Sequence, residues 1–107
     1  TTNAKAADEV VAAIKKGGGT AVAVKGDVSQ EADVLKIFQD ADRLGTLKVL
    51  VNSAGIMDHQ NRLDEMSGER MKRMFDINIL GSFLCAREAV KRMSTKHGGK
   101  GGAIVNL

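Results

Sequence analysis

The chain has 107 residues, 43% hydrophobic and 27% charged, with a formal net charge of +3. That is the size of one small domain and the composition of an ordinary packed one, which excludes a multidomain machine, a disordered tail and a disulfide scaffold. Basic residues are spread along the chain and the only aromatics are Phe38, Phe75 and Phe83, so neither a basic stripe nor a base-stacking platform for nucleic acid is present.

Apolar residues Ala4, Ala7, Val10, Val11 and Ile14 recur at spacings of three and four, which predicts a one-sided helix over residues 4–16. Gly17, Gly18 and Gly19 then end it. They follow a helix and precede a strand, the reverse of the order that aims backbone amides at phosphate, so they are read as a C-terminal cap. Residues 20–24 (TAVAV) read as a strand buried on both faces of a parallel sheet. Ser29 is placed as the N-cap of a second helix whose buried stripe is Val34, Ile37, Phe38, Ala41 and Leu44, closed by Gly45. The next strand is 47–51 (LKVLV), followed directly by Asn52, Ser53, Ala54 and Gly55.

Residues 56–65 are polar and irregular. Ser67 then caps a third and longest helix, expected to run to about Lys96 and to stop at Gly98 and Gly99. A third strand begins at Ala103, over residues 103–106. Helix, strand, helix, strand, helix, strand predicts an α/β fold with a doubly wound parallel sheet. No apolar run approaches the roughly 20 residues of a membrane span, and residues 1–3 lead straight into an amphipathic segment rather than a leader. Cys85 stands alone between Leu84 and Ala86, so it forms no internal disulfide and has no cation beside it to make it reactive. The expected setting is reducing and cytoplasmic.

Ligands of open parallel sheets bind outside the carboxyl ends of the strands, so residues just after each strand are candidates. Asp27 can accept from an adenine amino group or cap the next helix. Asn52 to Gly55 form either a tight turn or a ligand wall, in which small residues let a ligand approach and the Asn amide can tie neighbouring strands. Asn78 falls on the stripe Met71, Met74, Phe75, Asn78, expected to be buried, where its amide needs a partner; a core Asn bonded to a neighbouring carbonyl is the plain alternative to a functional role. Ser82, Cys85, Ala86 and Ala89 form a small-residue stripe for close packing inside the fold or between subunits. His59 and His97 lack any spacing with Cys, Asp or Glu that recommends a metal site.

Four blocks, in order, resemble the short-chain dehydrogenase/reductase family: Gly26-Asp27-Val28, the run from Gly45 to Ile56 with Asn52-Ser53-Ala54-Gly55, Ile77-Asn78-Ile79-Leu80-Gly81, and Gly102 to Leu107. The nearest branches are glucose 1-dehydrogenase and 3-ketoacyl-carrier-protein reductase. The resemblance implies a Rossmann-type, three-layer α/β/α domain. It implies Asp27 and Val28 as cofactor contacts on the adenine side, Asn52, Ser53, Ala54 and Gly55 as contacts along the ribose and nicotinamide, and Ile77 as a further cofactor contact. Asn78 becomes the fourth member of a catalytic tetrad, interrupting its helix and holding a water of the proton relay. Ser53 replaces the family's second Asn, and Lys48 its usual Asp.

The implied cofactor is NAD or NADP, and the implied reaction interconverts a secondary alcohol and a ketone by hydride transfer. The alternative is a noncatalytic nucleotide-binding or regulatory protein on the same fold. The family's dimers and tetramers make Ser82, Cys85, Ala86 and Ala89 interface candidates. Within these 107 residues the glycine-rich turn, the first two strands, the catalytic Ser and the Tyr-x-x-x-Lys pair have no counterpart, and Tyr is absent altogether. The whole chain therefore reads as one partial dinucleotide-binding domain from a longer enzyme, unable to turn over alone and prone to aggregate through unpaired strand edges. In the sheet order 3-2-1-4-5-6, strands 20–24 and 47–51 are not neighbours. The choice between NAD and NADP lies largely at the loop that Thr1, Thr2 and Asn3 border, which carries no Arg, Asp or Glu there.

Overall fold

A computed structural model describes residues 3–107. Thr1 and Thr2, at the edge of the predicted cofactor-choosing loop, lie outside the described residues. Helix α1 spans Ala4–Lys16, α2 Glu31–Asp42 and α3 Gly68–Phe75; strand β1 is Val49–Asn52. Asp76–Leu80 is a π-helical turn, after which α4 runs over Gly81–Met93 and β2 over Ala103–Asn106. β1 and β2 pair in parallel, Val49 opposite Ala103 and Asn52 opposite Asn106. Parallel neighbours need a long crossover, which α3, the π-turn and α4 supply.

α1 begins and ends where the periodicity places it. The Asn3 side chain accepts from the Ala6 N–H at 3.0 Å, the Gly17 N–H bonds back to the Ala13 carbonyl, and the turn completes through Gly18 at a φ of +87°. Among the described residues α1 packs against no other element, and Val10 and Ile14 stay exposed. Residues 20–24 form no strand. A strand exists as a member of a ladder, and the sheet among the described residues holds β1 and β2 alone. As expected, 20–24 and β1 are not neighbours. β1 itself starts later than predicted, at Val49, and includes Asn52.

The core is the seam between α2, α4 and one face of the sheet. Val34 and Phe38 from α2 meet Cys85, Ala89 and Met93 from α4, with Leu47, Leu50 and Ile104 packed against them. Small residues on α4 let the helices and the sheet come close. Cys85 and Ala89 are thus spent inside the fold, which removes them as interface residues, and burial pushes the Cys85 thiol above its usual range. Leu44, expected in the buried stripe, lies beyond the end of α2 at Asp42 and is exposed.

The long third helix is not continuous. Ser67 caps it as expected, its Oγ accepting from the Arg70 N–H at 3.2 Å. A π-turn carries more residues per turn than an α-helix, so side chains on either side of it no longer share one stripe. Phe75 is 59% exposed and Asn78 is exposed, against the expectation of a buried face. α4 then ends at Met93 rather than Lys96, because Ser94 turns extended and caps a short 3-10 turn over Thr95–His97; Gly98, in the left-handed region, stops it.

Polar contacts close the same seam. The Glu88 side chain is 4% exposed and accepts from Lys91 Nζ at 2.8 Å, Arg87 Nε at 3.1 Å and Arg92 Nη1 at 3.3 Å. Arg92 also grips Asp42 of α2, Nε to Oδ1 at 2.7 Å and Nη2 to Oδ2 at 3.0 Å, and sits 5.1 Å from the Phe38 ring centroid.

The hydrogen bond from Lys91, joined by those from Arg92 and Arg87, holds the Glu88 carboxyl below its ordinary 4.5 despite burial. A carboxyl depressed in the folded state adds stability above its unfolded pKa that is lost as pH falls through the folded one. Glu88→Gln is expected to cost about 1–3 kcal/mol at pH 7 and to flatten part of the stability loss below about pH 4.5. Thermal unfolding of both proteins across pH 3–7 checks this, and an unchanged acid limb refutes it.

Candidate functional site

At the carboxyl ends of β1 and β2 a side-chain amide adds to the backbone pairing, in which the Leu107 N–H donates to the Asn52 carbonyl at 3.0 Å. Asn52, buried at the end of β1, donates through Nδ2 to Asn106 Oδ1 at 2.9 Å and to the Ser82 carbonyl at 3.3 Å. It therefore ties the two strands to the first turn of α4, the strand-tying role that a short amide at this position permits. Ser53, Ala54 and Gly55 continue from this anchor along the sheet's carboxyl edge and are exposed.

Asn78 meets that segment from the π-turn. Its Oδ1 accepts from the Ile56 N–H at 2.8 Å, and its Nδ2 donates to the Ile56 carbonyl at 2.9 Å. The amide thus satisfies both main-chain groups of one residue in an otherwise irregular loop, as a neighbouring strand would. A Cβ built on Gly55 would lie 3.4 Å from Asn78 Oδ1, so the close approach suits glycine. Farther along the loop Arg70 pairs with Asp58 at 3.0 Å and donates to the His59 carbonyl, pinning the loop to α3.

Asp27 and Ile77 share a second locus, a cleft of about 410 Å³ also lined by Ser29, Gln30, Glu69, Lys72, Arg73 and Asp76. Asp27 Oδ1 accepts from the Ser29 hydroxyl at 2.7 Å and the Ser29 N–H at 2.9 Å, and its own N–H donates to Asp33 Oδ2 at 2.8 Å. Ser29 is thus the orienting partner of Asp27 rather than the cap of α2, whose N-cap is Gln30 without a side-chain bond. The hydroxyl bond and then the backbone bond from Ser29 hold the Asp27 carboxyl below its usual range, so it is ionised at neutral pH with Oδ2 without a partner among the described residues. Val28, half-buried, packs against the core and faces Gly81, where a Cβ would come within 2.6 Å of Val28 Cγ2.

The structure thus brings the candidates together in three places: Asn52 at the strand ends, Gly55 and Asn78 at the loop, and Asp27 with Ile77 in the cleft. Sequence reading missed Ile56, whose contribution is main-chain, and Gly81, which allows α4 to start against Val28. The glycine directly after an apolar run was the available sign of Gly81. Nothing in the side-chain pattern marks Ile56.

Asn78→Ala removes both bonds to Ile56. The Ile56 amide is expected to exchange with solvent about tenfold faster, corresponding to about 1.4 kcal/mol. Asn78→Asp keeps the acceptor for the Ile56 N–H but sets a second carboxylate oxygen against the Ile56 carbonyl, so it is expected to recover only part of the protection. Hydrogen exchange read at Ile56 checks this, and equal rates in Asn78→Ala and the parent rule the contact out.

A profile described as short chain dehydrogenase matches residues 1–107. An uncharacterized oxidoreductase of Escherichia coli, YgfF, is 44% identical over 106 residues, 98% of this chain and 43% of that protein. Glucose 1-dehydrogenase 2 of Bacillus subtilis is 40% identical over 88 residues, 81% of this chain and 34% of that one. The crystal structure of a short chain dehydrogenase from Burkholderia cenocepacia in complex with NADP superposes with a TM-score of 0.85 at 28% identity, covering 97% of this chain and 40% of that one. The chain spans about 40% of the length of the curated relatives it matches. Its fold is accordingly part of a Rossmann-type α/β domain. With the family profile running across every residue, the chain belongs to the short chain dehydrogenase family.

Proposed function

We propose that residues 1–107 are the central portion of a longer NAD(P)-dependent oxidoreductase that interconverts a secondary alcohol and a ketone. The observation that carries the reading is the π-turn Asp76–Leu80, which sets Ile77 in the Asp27 cleft and Asn78 on Ile56 in consecutive positions. One turn of backbone thereby serves both ends of an extended ligand.

The residues fit a dinucleotide. Asp27 offers an oriented, ionised acceptor through Oδ2 to an exocyclic amino group, beside the apolar Ile77 and the half-buried Val28. Ser53, Ala54 and Gly55 give an exposed edge with little side-chain bulk for a ribose and nicotinamide to lie against. A nicotinamide dinucleotide supplies, when bound, the carbon that takes or gives hydride. Asn52 acts from beneath as a positioning residue, because its Nδ2 is committed to Asn106 and Ser82. The Asn78 amide is likewise committed to Ile56, so its part in a proton relay is to fix the loop and present its main chain.

A homodimer or homotetramer belongs to the same reading, with its contact moved from Cys85 and Ala89 to outward residues of α4 such as Phe83 and Val90, 71% and 46% exposed. A small-molecule alcohol or ketone is the substrate, with no nucleic acid or membrane partner, in a cytoplasmic setting. Among the described residues no helix is long and apolar enough to cross a membrane.

The test is made on the protein at its native length. With a panel of secondary alcohols and ketones, absorbance at 340 nm is expected to report NADH or NADPH turnover. Asn78→Ala should lower kcat by about 10- to 100-fold with a smaller change in the cofactor Kd, as expected for a residue that places a relay. Cofactor binding without turnover on any substrate would instead select the noncatalytic binder.

A further inference from the structure

Arg73 has no part in the roles described so far. It belongs to the last turn of α3, just before the π-turn that carries Ile77, and it lines the same cleft as Ile77 and Asp27. Among the described residues the neighbouring cations each have a carboxylate or carbonyl to hold: Lys72 pairs with Asp76, and Arg70 with Asp58 and the His59 carbonyl. The Arg73 guanidinium makes no hydrogen bond or ion pair among the described residues, although its charge acts on Asp27.

The charge of the cleft decides what an unpaired guanidinium there can serve. Asp27, Glu69 and Asp76 outnumber Lys72 and Arg73, and Lys72 is already neutralised by Asp76. A phosphate brought beside Arg73 would also face the carboxylates of Asp27 and Glu69, like charges that cost more than a single exposed cation returns. A neutral, flat ring with an amino donor meets no such penalty. It can give its amino hydrogen to Asp27 and offer its face to Arg73, which as a planar, weakly hydrated cation stacks well on aromatic rings. The chain itself has no Tyr or Trp, and Arg is the side chain that does this work in their absence.

We propose that Arg73 is a binding residue for the purine ring of an adenine nucleotide, held in the cleft it shares with Asp27 and Ile77. The proposal rests on the reading of that cleft given under the proposed function. It adds that recognition on this side is of the base rather than of a phosphate, so a 2′-phosphate or 5′-phosphate gains nothing from Arg73.

Calorimetric titration of the native-length protein with adenosine and with adenosine 5′-monophosphate tests it. Arg73→Ala is expected to weaken both ligands about threefold and by equal factors, while Arg73→Lys recovers part of the loss and inorganic phosphate does not compete. Unchanged adenosine affinity in Arg73→Ala overturns the proposal and leaves the cleft as an adenine site. A loss confined to the monophosphate, or competition by inorganic phosphate, overturns it in favour of a phosphate contact. Failure of the parent protein to bind adenosine at all, while it still binds nicotinamide mononucleotide, overturns both the proposal and the adenine reading of the cleft.

Discussion

The π-turn at Asp76–Leu80 is the constraint on which the site depends. Helical hydrogen bonding continues through it, the Gly81 N–H reaching back to the Asp76 carbonyl, but the phase of the side chains changes. Before the turn α3 presents Arg73 to the cleft; after it α4 presents Gly81, Cys85, Glu88 and Ala89 inward. A straight α-helix would carry one stripe through both segments, and Asn78 would share a face with Cys85 and Ala89. The wider turn lets the same stretch of chain line a ligand cleft and build the core. Its looser geometry is offset by the two bonds that Asn78 makes to Ile56.

Close packing is the second half of that arrangement. α4 starts against Val28 because Gly81 has no Cβ, since one there would lie 2.6 Å from Val28 Cγ2 and 3.2 Å from its carbonyl. The segment that carries Asp27 is thereby fixed to the helix that follows Ile77. At the far end of the seam, Arg92 holds Asp42 and Glu88 over Phe38. The two ends are different kinds of site. The Arg92 end has paired charges and a buried acid, which suits holding helices together, while the Asp27 end keeps a carboxylate oxygen and a guanidinium without a hydrogen-bond partner among the described residues, which suits receiving a ligand.

What the residues disclosed unaided was whatever a local pattern determines. α1 and β2 fall on their predicted bounds because glycine caps and a short apolar run between glycines admit few alternatives. Val34 and Phe38 were legible as core from their spacing. Residues 20–24 were not, because being a strand is a property of a pair and the pattern shows one member. Ser29 was misread because a Ser before a helix is as good a cap as it is a donor to an Asp two residues earlier, and the choice is made by geometry. Asn78 stood out as a polar group on an apolar stripe, whereas its environment is open; the family resemblance also pointed to an interrupted helix at this residue, and the π-turn lies there.

The sheet sets how much of this geometry stands by itself. Parallel sheets are normally covered on both faces, and here α2 and α4 cover one while Val49, Val51 and Val105 lie 44–55% exposed on the other. Ser53, Ala54 and Gly55 run from the edge of that sheet, held by Asn52 at one end and by the Asn78 bonds to Ile56 at the other. The cleft depends on the sheet less. Asp27 is oriented by Ser29 and Asp33, Arg73 by α3 and Ile77 by the π-turn that follows it, and the two segments are locked by Val28 on Gly81. The adenine side of the proposed site is therefore built from contacts local to this stretch of chain, and the nicotinamide side from contacts that the rest of the domain completes.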